Sequence, residues 1–376
     1  MKTVKNNTVE QLKRKLSCRN NLLTKLVVIL LIVFANDMLA QDEKSVSNHR
    51  ISEYIHWYPA IKQAEMRDKW EQNHTSGEWQ ITGLVSPEDR TVITPQADVN
   101  YSYSWFNISE EPVVITMPEY NRYYSLSIFD MHHFMNVIVS PEKPVVVKLP
   151  HQKNPIEDSY EIVLHTNQGL AFTRQVVIDN EDEVLKLAEQ ITIEGGGGNK
   201  PFIIPKFTDE EIAVGEKAIV DYSMKVSNGR NLFGSKYEGV GDLDRSAGVF
   251  LGQLGTQAYV VDYAQYIQDQ FGEPLNGEDS YEIVVPAESF IRNEKGYWSL
   301  TIYNMEDRYL IPNDQNKYVI SSYKAKMNQD GTITIRINPN GLGENALPSN
   351  GKNFYGVFRV YEPKGDLVFP KIHKVE

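Results

Sequence analysis

The chain has 376 residues and one cysteine, Cys18. That cysteine precedes the apolar run "LVVILLIVFA", Leu26 to Ala35. A lipid-accepting cysteine would follow such a run, so the pattern argues against lipid anchoring. Were the leading segment removed, disulfides and thiol catalysis would be excluded. Histidine is scarce, with 8 in all, which leaves little material for a metal centre. No Gly-x-Ser-x-Gly elbow and no His-Glu-x-x-His helix occurs. Glycines 195–198 run into "NKPF", without the Gly-Lys-Ser/Thr ending of a phosphate loop, and read as a flexible linker. The longest apolar run is too short to span a bilayer comfortably, and the mean hydropathy is −0.41, so a polytopic membrane protein is excluded. Positive charge is in deficit, with 38 Lys and Arg against 50 Asp and Glu. The formal net charge of −12 repels phosphate backbones, so nucleic acid is not an expected partner.

The basic residues are concentrated at the start. Lys2, Lys5, Lys13, Arg14, Lys15, Arg19 and Lys25 precede the apolar run, and "NDMLAQDE" follows it. A basic lead, an apolar stretch and a small-residue end match an export signal over residues 1–40. The alternative is a segment kept as an N-terminal anchor. The expected location is periplasmic or extracellular, with no stable membrane span once the signal is gone.

Aromatic residues are plentiful, with 21 Tyr, 14 Phe and 5 Trp. They sit in short runs rich in Val and Ile: "EPVVITMP", "RYYSLSIFD", "NVIVS", "PVVVKLP" and "AFTRQVVI". Such spacing predicts a β-sandwich or barrel. Before it, "SEYIHWYPAIKQAEMRDKWEQ" reads as a helix that Ser52 can cap and Pro59 is expected to break or kink. These residues form an N-terminal β domain over 41–178. A helical middle segment is expected over 179–275. In it Val184, Leu187, Ala188 and Ile191 share a face. Thr208 and Glu211 form a capping box, with Phe207 and Ile212 as a hydrophobic staple. The stretch "RSAGVFLGQLGTQAYVVDYAQYIQDQFG" reads as one or two core helices ending at Gly272. Strand signals return over 276–376, with Asp330-Gly331 as a hairpin turn. The expected fold class is mixed, mainly β.

Two stretches match each other. "RYYSLSIFDM" (Arg122 to Met131) parallels "GYWSLTIYNM" (Gly296 to Met305), each after a strand ending in Pro. The pair suggests two related β units around a helical spacer. In both, the Leu/Ile side is the expected core side.

The stretch "TPQADVNYSYSW" puts Val99, Tyr101, Tyr103 and Trp105 on one face of a strand. Asp98, Asn100, Ser102 and Ser104 take the other. Asp98 and Asn100 either fold a turn by binding its backbone or floor a polar pocket with Arg122, Tyr124 or Asp130. Asp98 and Asp130 paired would suit acid–base chemistry. Asp130 with His132 is a two-ligand fragment, which does not make a metal site, so neither metal nor cofactor is expected. Tyr101, Tyr103, Trp105, Tyr297, Trp298 and Tyr303 are either sandwich core or a sugar-binding face. The candidate catalytic residues are Asp98, Arg122 and Asp130. The candidate ligand-binding residues are Asn100, Tyr101, Tyr124, His132, Trp298 and Tyr303.

At "TPQADVNYSYSW…EEPVVITMPEYNRYYSLSIFD" the chain resembles a bacterial family, domain of unknown function 1254 (DUF1254). Thr94, Pro95, Asp98, Tyr101, Ser102, Pro112, Arg122 and Tyr123 occupy its motif. The stretch "GYWSLTIYN…NKYVISS…NQDGTITIRI…NALPSNGKNFYGVFRVYEP" resembles the usual companion, DUF1214. Trp298, Ser299, Tyr303, Asp330, Gly331, Leu347, Pro348, Arg359, Tyr361 and Pro363 occupy that motif. Gln96-Ala97 stands where the first family commonly has an Asn, and Ala346 where the second commonly has a Trp. "MHHFMNVIVS" replaces the usual continuation after Asp130. The resemblance implies an Ig-like β-sandwich, a helical insert and a jelly-roll-like C-terminal domain, and no established activity. The expected function is binding of a polar small molecule or glycan between or upon the β domains. A glycan-directed hydrolase or lyase using Asp98 and Asp130, and a structural interaction module, are the alternatives. Oligomeric state is not legible.

Overall fold

The computed structural model describes residues 48–72, 76–90, 92–226, 229–287, 291 and 294–375. The expected signal segment, residues 1–40 with Cys18, lies outside the described residues. Among the described residues no helix is long and apolar enough to cross a membrane.

The chain divides into two compact units. The smaller is Met1–Tyr54 with Phe207–Gly215. In its described part, Arg50 binds Glu211 (Nε to Oε1, 2.9 Å) and Glu53 (Nη1 to Oε2, 2.6 Å), and Tyr54 meets Phe207 edge to face. The expected capping box is there. The Glu211 amide donates to Thr208 Oγ1 and Glu211 Oε2 accepts from the Thr208 amide, at the start of helix α3 (Asp209–Ser223).

The larger unit, Ile55–Lys206 with Glu216–Glu376, carries the β structure. Helix α1 covers 48–70, so Ser52 lies inside it and does not cap it, and Pro59 does not end it. Proline removes the amide that would bond the carbonyl four residues back. That carbonyl, on Ile55, instead accepts the Ser246 hydroxyl at 2.6 Å.

The first sandwich begins with β1 (Gln80–Gly83), β2 (Val99–Asn107), β3 (Val113–Thr116), β4 (Tyr124–Asp130) and β5 (Met135–Val139). It continues with β6 (Val145–Lys148), β7 (Tyr160–Val163), β8 (Gln168–Val176), α2 (Glu181–Ala188) and β9 (Thr192–Gly195). After α3 and α4 (Asp242–Gly252) come β10 (Val261–Tyr266), β11 (Ser280–Val285), β12 (Tyr297–Asn304) and β13 (Val319–Ser321). The last strands are β14 (Ile333–Asn338), β15 (Ala346–Pro348), β16 (Phe354–Tyr361) and β17 (Ile372–Val375).

The structure is mixed, mainly β, and its two sandwiches share one topology. The first pairs sheet β1-β2-β8-β4-β5 with sheet β7-β6-β3-β9. The second pairs β10-β16-β12-β13 with β15-β14-β11-β17. Strands β2 to β9 map in order onto β10 to β17, down to the single parallel pair in each, β6 with β7 and β14 with β15. The sequence match between β4 and β12 is therefore the readable remnant of a whole repeat.

The cores follow the same rule. Leu126 and Ile128 of β4 pack with Val113, Ile115, Val145 and Val147 across the first sandwich. Leu300 and Ile302 of β12 pack with Ile283, Ile335 and Ile337 across the second. The alternation of strand side chains then turns Tyr123, Ser125, Ser127 and Phe129, and Tyr297, Ser299, Thr301 and Tyr303, to the outer face of each main sheet.

Two local expectations change. The stretch after Arg245 is helical only to Gly252. From Val261 it is strand β10, paired along its whole length with β16, a distant partner that local periodicity does not reveal. Glycines 195–198 are a packed loop end rather than a flexible linker. A Cβ on Gly195, at φ +86°, would sit 2.3 Å from the Pro112 carbonyl oxygen, and one on Gly198 2.1 Å from Ser109 Oγ.

Candidate functional site

The strand that carries "DVNYSYSW" is β2, and both of its faces are largely buried. The polar face lies inside the first sandwich. Asn100 Nδ2 donates to Gln175 Oε1 (3.0 Å) and Ser102 Oγ (3.2 Å), and its Oδ1 accepts the Gly83 amide (3.0 Å). These bonds satisfy a fully buried amide and fix the register of three strands. On the aromatic face, Tyr101 lines a cavity of about 380 Å³.

The cavity lies on the outer faces of both main sheets. From the first come Tyr101, Phe172 and Arg174, and from the second Tyr263, Arg359 and Tyr361. Leu232, Phe233, Leu251 and Leu254 add apolar wall from the connecting segment. The two arginines are equivalent in the repeat. Arg174 on β8 lies opposite Tyr101 on one side and Ser125 on the other. Arg359 on β16 lies opposite Tyr263 and Ser299.

Both guanidiniums are buried, at 8% and 5% exposure, and among the described residues neither has a carboxylate within ion-pair distance. Arg174 Nη1 donates to Ser127 Oγ at 3.1 Å and its Nη2 to the Leu254 carbonyl. Arg359 Nη2 donates to the Thr94 carbonyl (3.0 Å) and to the Tyr303 hydroxyl (2.9 Å), while its buried Nη1 has no partner. Burial opposes the charge of Arg359. The neighbouring Tyr303, Tyr361, Tyr101 and Tyr263 push its pKa up against that burial, and a guanidinium stays cationic in a protein. Asp98 feels the charge of Arg359 from beyond ion-pair distance, and a buried cation not directly paired costs up to several kcal/mol, of order 3–5, which a bound anion would offset.

The segment 94–98 crosses to the second sheet. Tyr303 donates to the Pro95 carbonyl (2.6 Å), and Thr94 Oγ1 bonds Tyr355 Oη (2.7 Å). Gln96 Nε2 donates to Ser299 Oγ (2.7 Å) and to Asp98 Oδ1, and the Gln96 amide donates to Tyr101 Oη (2.8 Å). Thr94 has φ 56°, a left-handed conformation that its bonds on both sides maintain. Tyr123, Tyr297 and Tyr361 complete the junction, with Tyr297 stacked on Tyr361 at 4.3 Å.

Asp98 is therefore neither a surface turn residue nor a cavity wall. It is buried between the two sheets beneath Gln96. Its Oδ1 also accepts from Tyr297 Oη (3.4 Å), and its Oδ2 has no partner. Burial raises its pKa to about 6, against the opposing bonds of Gln96 and the charge of Arg359. Arg122 donates from Nη1 to the Ile178 carbonyl and Asn180 Oδ1, both at 2.8 Å, and holds the β8–α2 corner. Asp130 closes the turn after β4 by accepting the Phe134 amide (2.9 Å), and burial raises its pKa to about 7.

These three are not brought together. Asp98 meets β8 at Val177 and Asp130 meets it at Gly169, so about 26 Å of strand separates them at roughly 3.3 Å per residue. A glycosidase pair needs about 5–9.5 Å. Two aspartates at opposite ends of one sheet cannot act on one bond, so the pairing of Asp98 with Asp130 is corrected.

Of the candidate ligand-binding residues, only Tyr101 lines the cavity. Tyr303 stands just behind the wall, bonded to Arg359. Asn100 is in the polar network, and Tyr124 donates to the Pro141 carbonyl (3.0 Å). Trp298 points into the second sandwich core, stacked on Phe358. The His132 ring lies against Trp57, His56 and Phe202, while its backbone amide, not its ring, bonds the Asp130 carboxylate. Among the described residues no group of three His, Cys, Asp or Glu side chains could hold a metal ion. The cavity residues that sequence reasoning did not name as site residues include Arg174, Tyr263 and Arg359, the last noted only as a position of the DUF1214 motif. The available signal was an arginine inside an apolar strand in each half, "AFTRQVV" and "YGVFRVY".

Comparison with known proteins agrees with this layout. Residues 78–194 match the model of a protein of unknown function (DUF1254), and residues 261–365 that of a protein of unknown function (DUF1214). The chain is similar to the crystal structure of the VPA0106 protein from Vibrio parahaemolyticus. Identity is 19%, TM-score 0.68, and 88% of this chain and 100% of that one are covered. It is also similar to a putative uncharacterized protein from Burkholderia cenocepacia, at 12% identity and TM-score 0.50, over 89% of this chain and 96% of that one. At such identities the likeness is one of fold. No curated protein matches the chain.

Proposed function

We propose, from the premise that the chain belongs to the family in which DUF1254 is followed by DUF1214, that it binds a small organic acid in the cavity between its sandwiches. The observation that carries this reading is Arg359, a buried guanidinium on the cavity wall that, among the described residues, has no partner for its Nη1 and no carboxylate at ion-pair distance. A carboxylate accepts two parallel N–H bonds from a guanidinium and would offset the cost of burying it. Phe172, Phe233, Leu254 and Val357 give the rest of the molecule an apolar lodging. The volume suits a compact ligand of the usual pocket class. The basic lead before Leu26–Ala35 supports an exported, cell-envelope location for this binding, which fractionation of the expressing cell would test.

Octanoate and its neutral analogue octanol separate charge from greasiness. Octanoate should raise the thermal midpoint of the wild type by a few degrees at saturating concentration, and octanol should do much less. Arg359→Met should remove the difference. Equal shifts from both compounds, or none from either in the millimolar range, would overturn the reading.

A further inference from the structure

The second arginine sharpens the reading above, on which this inference rests. Arg174 and Arg359 are the same residue of the repeat, delivered to one cavity from two sheets. They converge closely enough that Tyr101 and Tyr263 each feel the charge of both guanidiniums. Neither has a carboxylate within ion-pair distance among the described residues, and Asp98, which feels the charge of Arg359, is not on the cavity wall.

A single carboxylate on Arg359 would leave Arg174 buried and uncompensated. Arg174 retains capacity. A guanidinium has five N–H donors, and the bonds to Ser127 and Leu254 use two. The cavity that both cations line also carries phenols and the apolar side chains of Phe172 and Val357. From these features we infer that the ligand carries two acidic groups joined by a short apolar bridge, one group on Arg359 and the other on Arg174.

The class is a dicarboxylate or an equivalent diacid, and the same logic rules on its length. The two groups must reach both guanidiniums at once, so affinity should peak at one bridge length and fall on either side. Binding is non-covalent, and no bond is made or broken.

The test is titration calorimetry of the full chain with straight-chain α,ω-dicarboxylates from succinate to sebacate, beside the monocarboxylates of equal length. One diacid should bind roughly tenfold tighter than its monoacid, the scale of one added charge-assisted contact. Arg174→Met should bring that diacid down to the monoacid's affinity while leaving the monoacid nearly unchanged. Arg359→Met should weaken both. Arg174→Lys keeps the charge and loses the fork, so the same comparison can be read on it if the methionine variant does not fold. A wild type that binds monoacids and diacids equally at every length would overturn the two-seat inference and leave the single-seat reading standing. So would a diacid preference that survives both Arg174 variants. A protein that binds no acid of either series would overturn both.

Discussion

Arg174 and Arg359 hold the same position in two equivalent sheets, each flanked by a tyrosine on one neighbouring strand and a serine on the other. A repeat that turns the same row of side chains outward twice, then closes the two rows on each other, concentrates like charge in one buried place. Ordinary sandwich packing would put aliphatic residues there. Polar side chains kept at such a junction, with the Arg359 Nη1 and Tyr123 Oη donors left unbonded among the described residues, are the usual mark of a place where the fold accommodates something else.

Asp98 gives the first prediction, and its sign follows from burial. Its folded pKa of about 6 lies above the ordinary carboxylate value. Below pH 4 both states hold the proton and the group contributes nothing. As pH rises from about 4 to 6 the unfolded chain gives up its proton while the folded one keeps it, so stability falls, by on the order of 3 kcal/mol in all. Asp98→Asn has no such proton to lose. Urea unfolding at pH 4 and at pH 7.5 should show the variant gaining on the wild type as pH rises, with most of the change complete by about pH 6. A gap that stays constant or narrows would contradict the burial argument.

Asp130 gives a test of distance. It sits at the far end of the sheet from Asp98, and among the described residues its carboxylate bonds only within its own turn. Asp130→Asn should leave the affinity of the cavity for any acid that binds there unchanged within about twofold, a few tenths of a kcal/mol. Loss of binding in a folded variant would mean that the two ends of the sheet are coupled.

Two glycines separate backbone strain from steric conflict. Gly195 and Gly272 both have φ +86°, but a Cβ at Gly195 meets the Pro112 carbonyl at 2.3 Å and one at Gly272 meets nothing within 4 Å. Gly272→Ala should cost about 1 kcal/mol, the price of the left-handed conformation. Gly195→Ala should cost clearly more, by roughly a further 1–3 kcal/mol, because β9 must move off β3 to admit the methyl group. Equal costs from chemical denaturation would show that β9 is loosely held.

The proline in α1 offers a double-mutant cycle. Ser246→Ala orphans the Ile55 carbonyl and should destabilise the wild type by about 1–2 kcal/mol. In a Pro59→Ala background the restored helix amide can bond that carbonyl, so the same serine change should cost noticeably less. Equal costs in both backgrounds would mean that the hydroxyl is not serving the proline's missing bond.

Much of this protein is written locally. The capping box at Thr208 and Glu211 is a short-range pattern of donors and acceptors, and the structure has it. The Leu/Ile side of "YYSLSIFD" and "YWSLTIYN" is the core side because period-two alternation is a property of the strand itself. The mainly β class and the DUF1254–DUF1214 order were legible for the same reason, as successions of local signals.

What the tertiary structure decided is everything that depends on which strand lies beside which. The polarity of β2 left its Asn100 face open between folding a turn and flooring a polar pocket. Only the second sheet packed over it makes that face interior, where its amides and hydroxyls bond to one another. The segment from Val261 could pass for helix until β16 paired with it. Asp98 and Asp130 looked like partners until β8 measured the distance between them. Arg174 and Arg359 each occur in an unremarkable apolar run, and no local pattern says that the two meet. Their shared cavity arises because two copies of one sheet face each other, and that long-range contact leaves no trace in either run of residues alone.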